Sequence, residues 1–220
     1  MRNKCKLFLV ITTLLTSRWA IATTIDFTTV PVSPGGILPN GYGDTGNVSV
    51  SYRLLDKTTG VTSQTGIPFY NSGFGDLTNV VYTGDDYGYT KDFGEVTLTA
   101  AAGFNVKLES FDLAGWGGSH EHQNVQLLDE NFNVLSNLLT DGTVPGSGHS
   151  HFAPNVSGQV IRIRFGPDPN VGIDNITFSE SPVVSAVPLP MAAYSGLVLL
   201  VSPVIPSAIK RWRRSRTVGG

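Results

Sequence analysis

Gly103-Phe104-Asn105-Val106-Lys107-Leu108-Glu109-Ser110-Phe111-Asp112-Leu113-Ala114-Gly115-Trp116 is the stretch that decides the fold. Phe104, Val106 and Leu108 alternate with Asn105, Lys107 and Glu109, the period-two rhythm of a strand with one buried face. Phe111 and Leu113 then fall on the opposite parity, so the pattern predicts a bulge near Glu109 and Ser110 that keeps the apolar side chains inward. The same rhythm runs upstream, where Val48, Val50, Tyr52 and Leu54 alternate with Ser49, Ser51 and Arg53, and Val96, Leu98 and Ala100 with Glu95, Thr97 and Thr99. Downstream come Val125 and Leu127, then Ile161, Ile163 and Phe165 with Arg162 and Arg164 facing out, then Ile176 and Phe178. Gly and Asn/Asp clusters at 41–46, 84–88, 115–118, 141–148 and 166–170 punctuate these runs, and no helical period competes within them. Many short strands with frequent turns predict an all-β chain with a single β-sandwich or jelly roll.

Both ends read differently. Arg2, Lys4 and Lys6, the apolar run 7–15 and the small-x-small Ala20-Ile21-Ala22 have the three parts of a secretory signal peptide, which predicts a mature chain from Thr23. Cys5, the one cysteine, leaves with that segment, so disulfides, thiolate metal sites and a cysteine nucleophile are excluded from the mature protein. At the other end an uncharged apolar run of 19 residues, 191–209, approaches the ~20 needed to cross a bilayer as a helix, and is weakened by Pro203 and Pro206. Lys210, Arg211, Arg213, Arg214 and Arg216 follow it and hold that end in the cytoplasm, which places everything earlier on the far side.

The organisation is therefore a signal peptide over 1–22, one domain over 23–181 and a C-terminal signal over 182–220. The middle segment is long enough for one hydrophobic core. It holds all 17 acidic residues and six of the 15 Lys and Arg, so it carries a net charge of −11 although the whole chain is at −2. Such a surface repels nucleic acid and anionic lipid.

Val187-Pro188-Leu189-Pro190, the weak apolar helix and the Arg-rich end, on a secreted chain, resemble the PEP-CTERM sorting signal of exported proteins in Gram-negative bacteria. Pro188-Leu189-Pro190 stands where the usual signal has Pro-Glu-Pro, as in its Val-Pro-Leu-Pro variant. The resemblance implies an exosortase-like processing enzyme as partner and anchorage in the inner membrane through the C-terminal helix, with the domain in the periplasm. After processing it implies a place at the cell surface or in an exopolysaccharide matrix. The stretch 103–116 and the closing Val171-Gly172-Ile173-Asp174-Asn175-Ile176-Thr177-Phe178 look like the core and last strand of exported sandwich proteins of this kind, many of them similar to galactose-binding-type carbohydrate-binding jelly rolls.

Three groups of residues are candidates for chemistry. All four histidines fall in two His-x-His pairs, His120/His122 and His149/His151, and imidazoles two apart on a strand can reach one metal ion. Four together would close a Zn²⁺ site if the pairs meet; otherwise they are turn-side surface histidines. Asp26 in the first strand and Asp174 in the last would meet if the terminal strands pair, offering carboxylates to Ca²⁺. A structural calcium near the chain ends is also what the carbohydrate-binding resemblance implies. The competing reading makes Asp174-Asn175 a turn or bulge. Trp116, the one tryptophan between the two signals, sits among Gly115, Gly117 and Gly118, either as a packed core residue or as a platform for a sugar ring assisted by Tyr87 and Tyr89.

No Gly-x-Ser-x-Gly elbow, His-Glu-x-x-His helix or phosphate-binding Gly loop is present, so the chain reads as a non-enzyme. The expected function is that of an exported surface or matrix protein that binds an exopolysaccharide weakly. The alternatives are a secreted polysaccharide-degrading enzyme, whose paired carboxylates need no fixed spacing, and a metal-binding surface protein.

Overall fold

The structure is a computed structural model, and it describes residues 21–84, 92–167 and 170–183. Residues 1–20, Tyr87, Tyr89, the motif Val187 to Pro190, the apolar run 191–209 and the basic residues Lys210 to Arg216 lie outside the described residues. The chain divides into two units, 1–183 and 184–220, and the fold is that of the first.

Among the described residues fourteen strands follow one another: β1 (Ala22–Ile25), β2 (Ile37–Leu38), β3 (Val48–Leu55), β4 (Thr62–Thr65), β5 (Ile67–Tyr70), β6 (Val80–Tyr82), β7 (Phe93–Ala100), β8 (Phe104–Gly115), β9 (His120–Leu128), β10 (Val134–Val144), β11 (Ser150–Phe152), β12 (Val156–Gly158), β13 (Val160–Gly166) and β14 (Val171–Pro182). Among the described residues no helix occurs, and so none is long and apolar enough to cross a membrane. The strands form two antiparallel sheets. One has the order β11-β8-β14-β6-β5-β2, with β1 also on β14 and β12 also on β8; the other has the order β10-β9-β13-β7-β3-β4.

The alternation read from the sequence explains how the sheets pack. Val96, Leu98, Ile161, Ile163 and Phe165 from one sheet and Val106, Leu108, Phe111, Leu113, Ile173 and Ile176 from the other share a single buried core. Each such side chain, fully removed from water, stabilises the fold by about 1.5–3 kcal/mol before the entropy of ordering is subtracted. Within the core the Tyr52 hydroxyl donates to the Tyr42 carbonyl at 2.8 Å, and burial pushes its pKa well above the usual phenol value.

The bulge expected near Glu109 is present. Ser110 faces Thr177 and Leu108 faces Phe178, so Glu109 is the extra residue on β8, and Phe111 and Leu113 remain buried with Val106 and Leu108. On β14 the register shifts again between Asp174 and Thr177, where Asn175 adopts φ 52°. The terminal strands also pair, Ile25 opposite Ile176, which carries Asp26 to the Asp174 end of the contact.

Candidate functional site

Trp116 follows the last residue of β8 and is held from three directions. Its amide donates to the Asn170 carbonyl at 2.9 Å, its carbonyl lies 3.0 Å from His120 Nε2, and the next amide, on Gly117, donates to the Gly73 carbonyl at 3.2 Å. Phe74 forms an isolated β-bridge with it. Gly73, at φ +89°, lies so close to the indole that any β-carbon there would overlap Nε1 and Cδ1; glycine is needed for both the backbone and the contact. The outcome is a tryptophan 48% exposed on a backbone held by hydrogen bonds on both sides.

Beside it opens a cleft of about 130 Å³ lined by Tyr70, Phe74, Tyr82, Trp116 and Asn170. A small second core of Phe74, Leu77, Val80, Tyr82 and Ala114 supports its floor. The rings pack on one another: Tyr70 and Tyr82 stand edge to face, 6.3 Å apart at 86°, and Phe74 and Tyr82 are tilted, 5.5 Å apart at 43°. An aromatic surface with two phenols and an amide at its margin suits a ligand having an apolar face and polar edges. The size fits one ring rather than a chain of them.

The two His-x-His pairs have different partners. His120 starts β9 and packs on Gly115, while His122 takes φ 59°, which interrupts strict strand alternation, and sets Nδ1 2.6 Å from Asp141 Oδ1. His149, just before β11, has Nδ1 2.9 Å from Asp76 Oδ1 and Nε2 3.8 Å from Asp112 Oδ1; His151 on β11 has Nδ1 2.7 Å from that same Asp112 oxygen. The hydrogen bond to Asp76, reinforced by the Asp112 and Asp76 charges against the opposing effect of burial, raises the His149 pKa above 6.5. The same bond lowers that of Asp76.

Asp112 was not singled out from the sequence, yet it is the centre of a buried polar group. It sits opposite Asp174 in the β8–β14 pairing, and its Oδ2 accepts from Asn175 Nδ2 at 2.8 Å. Asp174 Oδ1 accepts from the Asn175 amide at 2.7 Å. Asp174 is only 4% exposed, and its pKa is pushed up to about 7 by burial first and then by the Asp26 and Asp112 charges, with the Asn175 amide opposing. Asp26 and Asp174 are thus brought within electrostatic reach, as terminal-strand pairing requires, while Asp174-Asn175 also forms the bulge. Among the described residues no set of three or more His, Cys, Asp or Glu side chains is arranged to hold a metal ion.

No protein-family model matches the sequence, and no curated protein matches it.

Proposed function

We propose that the chain is an exported surface or matrix protein whose sandwich, akin to carbohydrate-binding jelly rolls, binds a glycan weakly through the Trp116 cleft. The observation that carries this is a half-exposed indole fixed over an aromatic cleft by backbone hydrogen bonds on both sides. Burying one sugar face at ~25 cal/mol per Å² supplies a few kcal/mol, so a single site binds with Kd of roughly 10⁻³ to 10⁻⁵ M. Display of many copies on a surface makes such an affinity useful. The C-terminal signal, with its exosortase-like partner, supplies the route to that surface. Binding is favoured over hydrolysis because, among the described residues, the facing carboxylates Asp112 and Asp174 are 6% and 4% exposed and line no part of the cleft.

Two measurements test the two halves of this reading. Trp116→Ala should fold normally and lose most retention on the host's own neutral exopolysaccharide; unchanged retention removes the cleft from the account. Intact-mass analysis in an exosortase-bearing host should find cleavage near Val187 to Pro190, and a mass retaining residues 191–220 refutes the sorting route.

A further inference from the structure

The outer face of the second sheet carries a charge arrangement opposite to that of the rest of the domain. Arg53 on β3, Glu95 on β7 and Arg164 on β13 stand in one cross-strand row, with Arg162 one step along β13. Glu95 Oε1 accepts from Arg53 Nε at 2.8 Å, from Arg53 Nη2, and from Arg162 Nη1 at 3.4 Å; Oε2 accepts from Arg164 Nε at 3.1 Å and Nη2 at 2.7 Å. One carboxylate with no exposed side-chain surface therefore binds the guanidiniums of three arginines whose side chains remain 28%, 17% and 22% exposed. Arg162 Nη2 and Arg164 Nη1 have no hydrogen bond among the described residues. Asp129 lies close to Arg162, but its carboxylate accepts from the amides of Asn131 and Asn133 and from Asn133 Nδ2, so it serves its own turn.

A second observation marks the same place. Phe132, in the turn between β9 and β10, is held at φ 63°, a backbone conformation that is costly for an aromatic residue. It is 51% exposed, with its ring 4.4 Å from the Arg162 guanidinium and 5.8 Å from that of Arg53. The ring thus lies over the charged row and leaves half its surface to solvent.

We propose that this face is a second binding site, for carboxylate-bearing sugars of an acidic polysaccharide. Phe132 takes the apolar face of a sugar ring, and the unused nitrogens of Arg162 and Arg164 take its carboxylate. The site is separate from the Trp116 cleft and does not depend on it. A domain at −11 repels an anionic polymer in general, so half of its six cations gathered on one face set where such a polymer can approach. One exposed ring and three guanidiniums match one acidic sugar at a time; a protein partner would need about 800 Å² of contact with an apolar centre.

The test uses the full chain in mild detergent on immobilised alginate, a polyuronate, with neutral dextran as control and no divalent cation. The expected result is retention on alginate but not dextran, lost as salt shortens the Debye length to a few ångströms. Arg162→Gln should weaken retention roughly tenfold and Phe132→Gly about three- to tenfold. Phe132→Gly is the safeguard against misfolding, because glycine relaxes the backbone at φ 63°. Trp116→Ala should bind alginate like the parent. The proposal is overturned by absent retention, by equal retention of Phe132→Gly, by loss in Trp116→Ala, or by an Arg162-dependent dimer that ignores alginate, which would make the face a contact between copies.

Discussion

Asp174→Asn should stabilise the protein above pH 7 and leave it unchanged near pH 4. In the fold this carboxyl is 4% exposed, faces Asp112 across the β8–β14 pairing and feels the charge of Asp26, and its pKa rises from 3.8 to about 7. Below 3.8 the group is protonated whether the chain is folded or not. Between 3.8 and about 7 the folded state keeps a proton that the unfolded state has released, so stability falls as pH rises; above 7 the full cost of a buried anion is present. At 1.36 kcal/mol per pH unit the gap caps that cost at about 4 kcal/mol, and residual water and side-chain relaxation reduce the expected value to about 2 kcal/mol.

Asparagine copies the neutral acid in shape and can still accept the Asn175 amide, so the variant removes the charge without opening a cavity. Thermal melts of parent and variant at pH 4, 6 and 8 provide the assay. For a domain of this size about 2 kcal/mol is a difference of roughly 4–8 °C at pH 8, shrinking to nothing at pH 4. The difference between the two proteins cancels the titrating groups that do not interact with Asp174. A variant no more stable than the parent at pH 8 refutes the reasoning, because it means that the anion is solvated or neutralised in the fold.

Glu95→Gln should have the opposite sign at neutral pH, since it leaves three guanidiniums on the sheet without their common anion; breaking such a pairing costs about 3–5 kcal/mol when fully buried, and with the arginines partly exposed about 2–3 kcal/mol. Urea denaturation measures it, and an unchanged midpoint means that the arginines are held by something other than Glu95. Asp76→Asn should move the NMR titration of the His149 ring downward toward 6.5, because the hydrogen bond to Asp76 is the largest cause of its raised pKa. The stability lent by that pair is greatest between 3.8 and 6.5; it is lost as pH falls through the lowered Asp76 value and as pH rises through the raised His149 value, so the variant and parent should converge in melting temperature at alkaline pH.

What the sequence made legible was local. The parity switch from Leu108 to Phe111 required a bulge, and β8 and β14 place it at Glu109. The alternation of Ile161, Ile163 and Phe165 with Arg162 and Arg164 assigned the faces of β13 correctly. By contrast β10 has no such rhythm, because it is an edge strand whose side chains are mostly exposed and whose register with β9 shifts four times; nothing obliged its residues to alternate.

The sites were hidden for a different reason. Period two places Glu95 and Asp112 on the side facing away from the core, which predicts exposure, yet they are 0% and 6% exposed. Their burial comes from neighbours fixed by sheet order: Arg53 and Arg164 flank Glu95 from strands 42 and 69 residues away in sequence, and His151 reaches Asp112 from 39 residues away. The same holds for the cleft, whose walls come from β5, the turn carrying Phe74, β6, Trp116 and Asn170. Sequence rhythm says which way a side chain points, and only strand order says what it meets there. Trp116 shows both halves of that rule. Its three flanking glycines signalled a loop, but the residue that leaves room for its ring is Gly73, a glycine between β5 and β6 with no mark in the sequence to distinguish it from the rest.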